Sequence, residues 1–72
     1  MTKELQIKKW NSNYDGAMYG LFDGENILYS HFCSCDGFAI GDLVLRRKER
    51  QEELDSKYGK DKWTICPDII EI

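Results

Sequence analysis

The sequence predicts an α+β domain: a small antiparallel sheet of three or four strands, in β-β-β-α-β order, with one helix packed on one face. Three observations carry this. Apolar residues alternate with polar ones near the start, two apolar runs flank a glycine turn, and a charged helical stretch precedes an isoleucine-rich close. The 72 residues contain no repeat, no low-complexity tract and one proline, so residues 1–72 read as a single domain. An apolar fraction of 42% and nine aromatic side chains suffice for one core, but not for a core plus a walled substrate cavity.

In "KELQIKKW" Leu5 and Ile7 fall on one side and Glu4, Gln6 and Lys8 on the other, the pattern of a half-buried strand. "NSNYDG", residues 11–16, is dense in turn formers and reads as a loop. "AMYGLFDGENILYSHF" places two apolar runs around Asp23-Gly24, where glycine supplies the positive φ of a tight hairpin. Residues 34–60 admit two readings. In one, a long helix buries Ile40, Leu43, Val44, Leu54 and Tyr58, with Ser34 or Asp36 as cap, Gly59 as its stop, and Asp42–Arg46 and Glu53–Lys57 as i,i+4 pairs. In the other, Gly41 ends it, "GDLVLRR" is a strand like those of SH3-like barrels, and the helix is confined to 48–58. Trp63, Ile65, Ile69, Ile70 and Ile72 make a last strand, or two short extended pieces. Pro67 cannot donate to a ladder, so it marks an edge, a kink or an end.

A formal charge of −3 is spread along the chain, so no segment is basic enough to neutralise a run of phosphates. There is no apolar leader and no span of membrane length, and an odd count of three cysteines does not suggest a secreted disulfide scaffold. The expectation is a cytoplasmic protein without membrane association.

The chemical question is posed by "YSHFCSCDGF". His31, Cys33 and Cys35 alternate, and Cys66 follows far along the chain. One nitrogen and three sulfurs are a zinc-ligand set, yet the C-x₂₋₄-C knuckle that converges two sulfurs on one ion is absent. The competing reading is a plain strand, with Cys33 and Cys66 as small buried hydrophobes. Cys33-Ser34-Cys35 is not the C-x-x-C of redox sites, and no phosphate-binding or calcium-loop motif occurs. No nucleophile–base–orienter set is visible either, so neither enzyme activity nor a cofactor is expected.

Two binding surfaces can be drawn. Arg46, Arg47 and Arg50, with the hairpin aromatics Tyr19, Phe22, Tyr29 and Phe32, could hold nucleic acid, but Glu49, Glu52, Glu53 and Asp55 interleave with and follow the basic run. The aromatics are otherwise typical protein-interface anchors, and Tyr19, Phe22, Tyr29, Arg46, Arg47 and Arg50 are the candidate partner-binding residues.

The layout of "MYGLFDGENILYSHF" followed by "LRRKERQEELDSKYGKDKWTICPD" resembles the small accessory proteins of tailed bacteriophages. The likeness covers residues 17–68: a hairpin about "FDG", a charged helix ending "KYG", and a short Trp-containing strand. It implies a non-enzymatic protein that inhibits or modulates a host protein by occlusion, as in host takeover or anti-defence. Expected partners are therefore a host protein first and nucleic acid second, and a homodimer is compatible with both.

Overall fold

The computed structural model describes residues 2–72 as an α+β sandwich of one sheet and one helical layer. The chain runs β1 (Lys3–Asn13), β2 (Gly16–Asp23), β3 (Asn26–Cys33), α1 (Asp36–Ile40) continued by a π-helical turn (Gly41–Leu45), α2 (Lys48–Tyr58) and β4 (Trp63–Glu71). The expected element order is therefore present, and a helix does cover one sheet face.

The sheet is mixed rather than antiparallel. Its order is β3-β2-β1-β4: β1 pairs antiparallel with β2, β2 antiparallel with β3, and β4 lies parallel to β1. The difference has a packing cause. Leu5 and Ile7 are fully buried, so β1 needs neighbours on both sides, and β4 supplies Ile65 beside Leu5 and Ile69 beside Ile7. A parallel partner requires a crossover of a dozen residues or more, and the helical segment provides it.

β4 is an edge strand, and Pro67 sits in an irregularity of it. The register moves from Leu5↔Ile65 to Ile7↔Ile69, so Cys66, Pro67 and Asp68 stand opposite Gln6 alone. The Gln6 side-chain amide donates to the Asp68 carbonyl there, serving a group that the broken ladder leaves free.

The hairpin forms as expected, with Asp23 opposite Asn26 and Gly24 at φ 62°. Residues 11–13, expected in a loop, instead extend β1, and the turn is confined to Tyr14–Asp15. A register shift beyond Trp10, with Asn11 at φ 53°, lets the strand continue. The Asn13 side chain accepts from the amides of Asp15 and Gly16 and closes the turn.

Each reading of residues 34–60 is right in part: α2 occupies 48–58 as the second has it, and residues 36–45 are helical, as the first has it, rather than a strand. The helix passes through Gly41, which keeps helical angles, and breaks at Arg46–Arg47 instead. Arg46 N–H donates back to the Gly41 carbonyl and Arg47 turns extended, so the chain changes direction. Side chains then serve the carbonyls left open: Arg47 Nε donates to Asp42 O, Arg50 to Leu43 O and Gln51 to Leu45 O. The break lets Leu43 and Val44 on one piece and Leu54 on the other reach the same sheet face, as the apolar stripe predicts. Cys35 occupies the N-cap position of α1 without a side-chain cap, so neither Ser34 nor Asp36 serves as one. Asp42 and Arg46 pair at 3.1 Å, whereas Glu53 takes the Tyr29 hydroxyl rather than Lys57. Gly59, at φ 101°, ends α2.

The core lies between the layers: Leu5, Ile7, Ala17, Tyr19, Leu21 and Cys33 from the sheet, and Ala39, Leu43, Val44 and Leu54 from the helices. Among the described residues no element covers the other sheet face.

Candidate interaction surface

Strand alternation assigns each side chain to one of the two faces. With Leu5 and Ile7 inward, Gln6, Lys8 and Trp10 project from the open side. The ladder carries that side across the sheet in rows: Trp10–Met18–Phe32, Lys8–Gly20–Ser30 and Gln6–Phe22–Ile27. Ile70, paired with Lys8, extends it onto β4.

Gly20 organises the centre of this face. The Trp10 and Phe22 rings lie over it, edge to face, with centroids 6.2 Å apart and planes at 80°. A Cβ at Gly20 would stand 2.9 Å from both rings, so only glycine lets them settle onto the backbone. Lys8 Nζ lies 4.8 Å from the Phe22 centroid, its charge over the ring face. Around this aromatic pair Ile27, Phe32 and Ile70 are about half exposed. Among the described residues of β1, β2 and β3, alternation places only Glu4 and Lys8 as charged side chains on this face, and their signs cancel. The face is a nearly neutral apolar surface with an aromatic centre, the composition typical of the middle of a protein interface.

Of the six candidate partner-binding residues only Phe22 belongs to this surface, where Phe32 of the hairpin aromatics joins it. Tyr19 is buried on the opposite, helix-covered face, where its hydroxyl donates to Asp36. Tyr29 is on that side too, donating to Glu53, with the Arg50 guanidinium 4.8 Å from its ring centroid. Arg46, Arg47 and Arg50 cluster at the helix break, where they bond Asp42 and Leu43. The six candidates therefore form no single surface. Trp10, Met18 and Ile27 belong beside Phe22 and Phe32, and the signal for Trp10 was the alternation that sets it, with Lys8, opposite Leu5 and Ile7.

The four metal-ligand candidates are dispersed as well. Cys33 is buried at the end of β3, Cys35 is exposed before α1, and Cys66 is on β4 at the far edge of the sheet. Three inter-strand steps separate β3 from β4, about 14 Å. Among the described residues no three His, Cys, Asp or Glu side chains converge. Cys33 Sγ is occupied locally, 3.4 Å from Cys35 O and 3.6 Å from Asp42 Oδ2.

A depression of about 320 Å³ is lined by Lys9, Tyr19, Cys35 and Asp36 among others. Burial and the bond to Asp36 raise the Tyr19 hydroxyl well above the usual phenol range. The bonds from Tyr19 and Lys9 hold Asp36 below the usual carboxylate range. A proton-transfer pair needs groups poised near the working pH. These two are driven away from neutrality, which makes them a clamp between β2 and α1.

No helix of the described residues is long and apolar enough to cross a membrane. No family model, no curated protein and no solved structure matches the chain.

Proposed function

We propose that this chain is a non-enzymatic binding protein that docks a partner protein on its open sheet face and acts by occluding the partner's surface. The single observation that carries the reading is the uncovered apolar face centred on Trp10 and Phe22 over Gly20. Its near-absence of net charge favours a partner patch that is itself apolar. The resemblance of the sequence's layout to small phage accessory proteins points to a host protein as that partner, with modulation of its activity as the outcome.

Nucleic acid is disfavoured by placement. The stacking side chains Trp10, Phe22 and Phe32 lie on one face, and Arg46, Arg47 and Arg50 lie in the helical layer behind the other. Among the described residues Lys8 alone offers a cation beside these rings. Base stacking and phosphate neutralisation would have to occur on opposite sides of the molecule.

The test is affinity capture from nuclease-treated bacterial lysate in parallel with two variants. A partner retained at near-equal stoichiometry by the native protein and by Arg46→Glu, but lost with Phe32→Glu, meets the expectation. Retention by Phe32→Glu and loss with Arg46→Glu would overturn it.

A further inference from the structure

We propose that β3 is a self-pairing edge, through which two copies of this chain join their sheets into one eight-stranded sheet. The inference does not depend on what docks on the open face, because edge pairing takes up Ile27 and Phe32 at its margin and leaves its centre, Trp10 and Phe22, uncovered.

The two edges of the sheet are built differently. β4 carries Pro67, an irregularity at Cys66–Asp68, and the acids Asp68 and Glu71, devices that discourage a further strand. β3, "NILYSHFC", has no proline and no Asp, Glu, Lys or Arg. Among the described residues, no backbone or side-chain group beyond β2 bonds the backbone of Asn26–Cys33, so its outward N–H and C=O groups are free. An uncharged strand with a free ladder edge is a pairing template.

The side chains favour a second copy over an unrelated strand. Ile27 and Phe32 are 50% and 48% exposed, and both stand on the open side. Antiparallel pairing about a two-fold axis at Ser30 sets Ser30 against the second copy's Ser30 and Tyr29 against the second copy's His31. The register shift at Leu21/Phe22 makes Leu28 an extra residue in β3. Allowing for it, Ile27 comes opposite the second copy's Phe32, and Phe32 opposite the second copy's Ile27. One symmetry operation thus covers both exposed apolar groups twice. The helical layers fall on the same side, and the two open faces become one continuous surface.

Sedimentation velocity across a range of about 1 to 300 µM tests the pairing. The expected mass rises from 8.4 kDa toward twice that value. Amide hydrogen exchange at the two ends of the range should slow within residues 26–33 and stay unchanged in β4. Ser30→Glu sets two carboxylates against each other at the axis and should abolish the concentration dependence. Phe22→Ser, on the face but away from the edge, should keep it. A chain of 8.4 kDa at every concentration would overturn the proposal. So would a dimer protected in β4 or lost with Phe22→Ser, and the exchange pattern of the native chain decides even if Ser30→Glu does not fold.

Discussion

The Tyr58 hydroxyl donates to Asp23 Oδ2 at 2.7 Å, fastening the last turn of α2 to the end of β2. Lys3 Nζ holds the other oxygen of the same carboxylate at 2.6 Å. The arrangement recurs between sheet and helices. Tyr19 donates to Asp36, Tyr29 to Glu53, and Trp63 Nε1 to Asp55 Oδ1 at 2.8 Å. Each bond joins an aromatic that contributes area to the apolar interior with a carboxylate at its rim.

These bonds set the pH range of stability. Asp23 and Asp36 are held below the ordinary carboxylate pKa, Asp23 by Lys3 and Tyr58 and Asp36 by Tyr19 and Lys9. Their contribution is present above about pH 4 and is lost as pH falls below it. Tyr29 and Tyr58 are pushed up to about 12 by burial and by their carboxylate partners. Their contribution is present below about pH 10 and is lost as pH rises toward 12. Thermal melts followed by circular dichroism should show a plateau from about pH 5 to 9 that falls on both sides. Tyr58→Phe should lower the plateau by a few degrees and make the acid limb shallower. A Tyr58→Phe protein with an unchanged acid limb would show that this seam does not govern the pH response.

Leu54 is the one buried side chain of α2. Leu54→Ala should cost about 2–5 kcal/mol, read from urea unfolding. Amide exchange should rise first in residues 48–58, with β1 and β2 protected until global unfolding. Uniform acceleration through the whole chain would place α2 inside the cooperative core instead.

Gly16 and Gly20 should answer the same substitution to different degrees. Gly16 is at φ 145°, and an added Cβ there would collide with the Cys33 carbonyl, which is backbone and cannot swing aside. Gly16→Ala is expected to cost more than about 2 kcal/mol, a melting-point drop of about 10 °C or more. At Gly20 the obstacles are the Trp10 and Phe22 rings, which have open solvent above them. Gly20→Ala should fold, cost about 1 kcal/mol or less, and lift the rings. Trp10 emission, read in a Trp63→Phe background, should then shift to longer wavelength.

Thiol chemistry separates the three cysteines. Exposed Cys35 should react first with a thiol reagent in the native protein, Cys66 more slowly, and buried Cys33 only on unfolding. A chelator or added zinc should leave the melting temperature unchanged. A rise in melting temperature with zinc would require a ligand set that this fold does not assemble.

Local features were legible in the sequence where one short segment decides them. Gly24 marks the hairpin, and the alternation of Leu5 and Ile7 identifies both β1 and its buried face. The helix break was hidden because Gly41, the obvious suspect, tolerates helical angles, while Arg47, Arg50 and Gln51 cap the preceding turn from the far side. The direction of β4 was hidden because it depends on β1 needing a second neighbour sixty residues away in sequence. The aromatics divide for a related reason. Tyr19 and Tyr29 share a hairpin with Phe22, and only strand parity decides that they turn inward while it turns out.

The parallel pairing of β1 with β4 also bears on how the domain carries force. A pull on Lys3 and Glu71 enters at opposite ends of two adjacent strands that point the same way. The load then runs along both strands and shears the whole ladder at once, where an antiparallel neighbour would let the bonds open one by one. The slack of the Pro67 irregularity is the place where that shear would first give way.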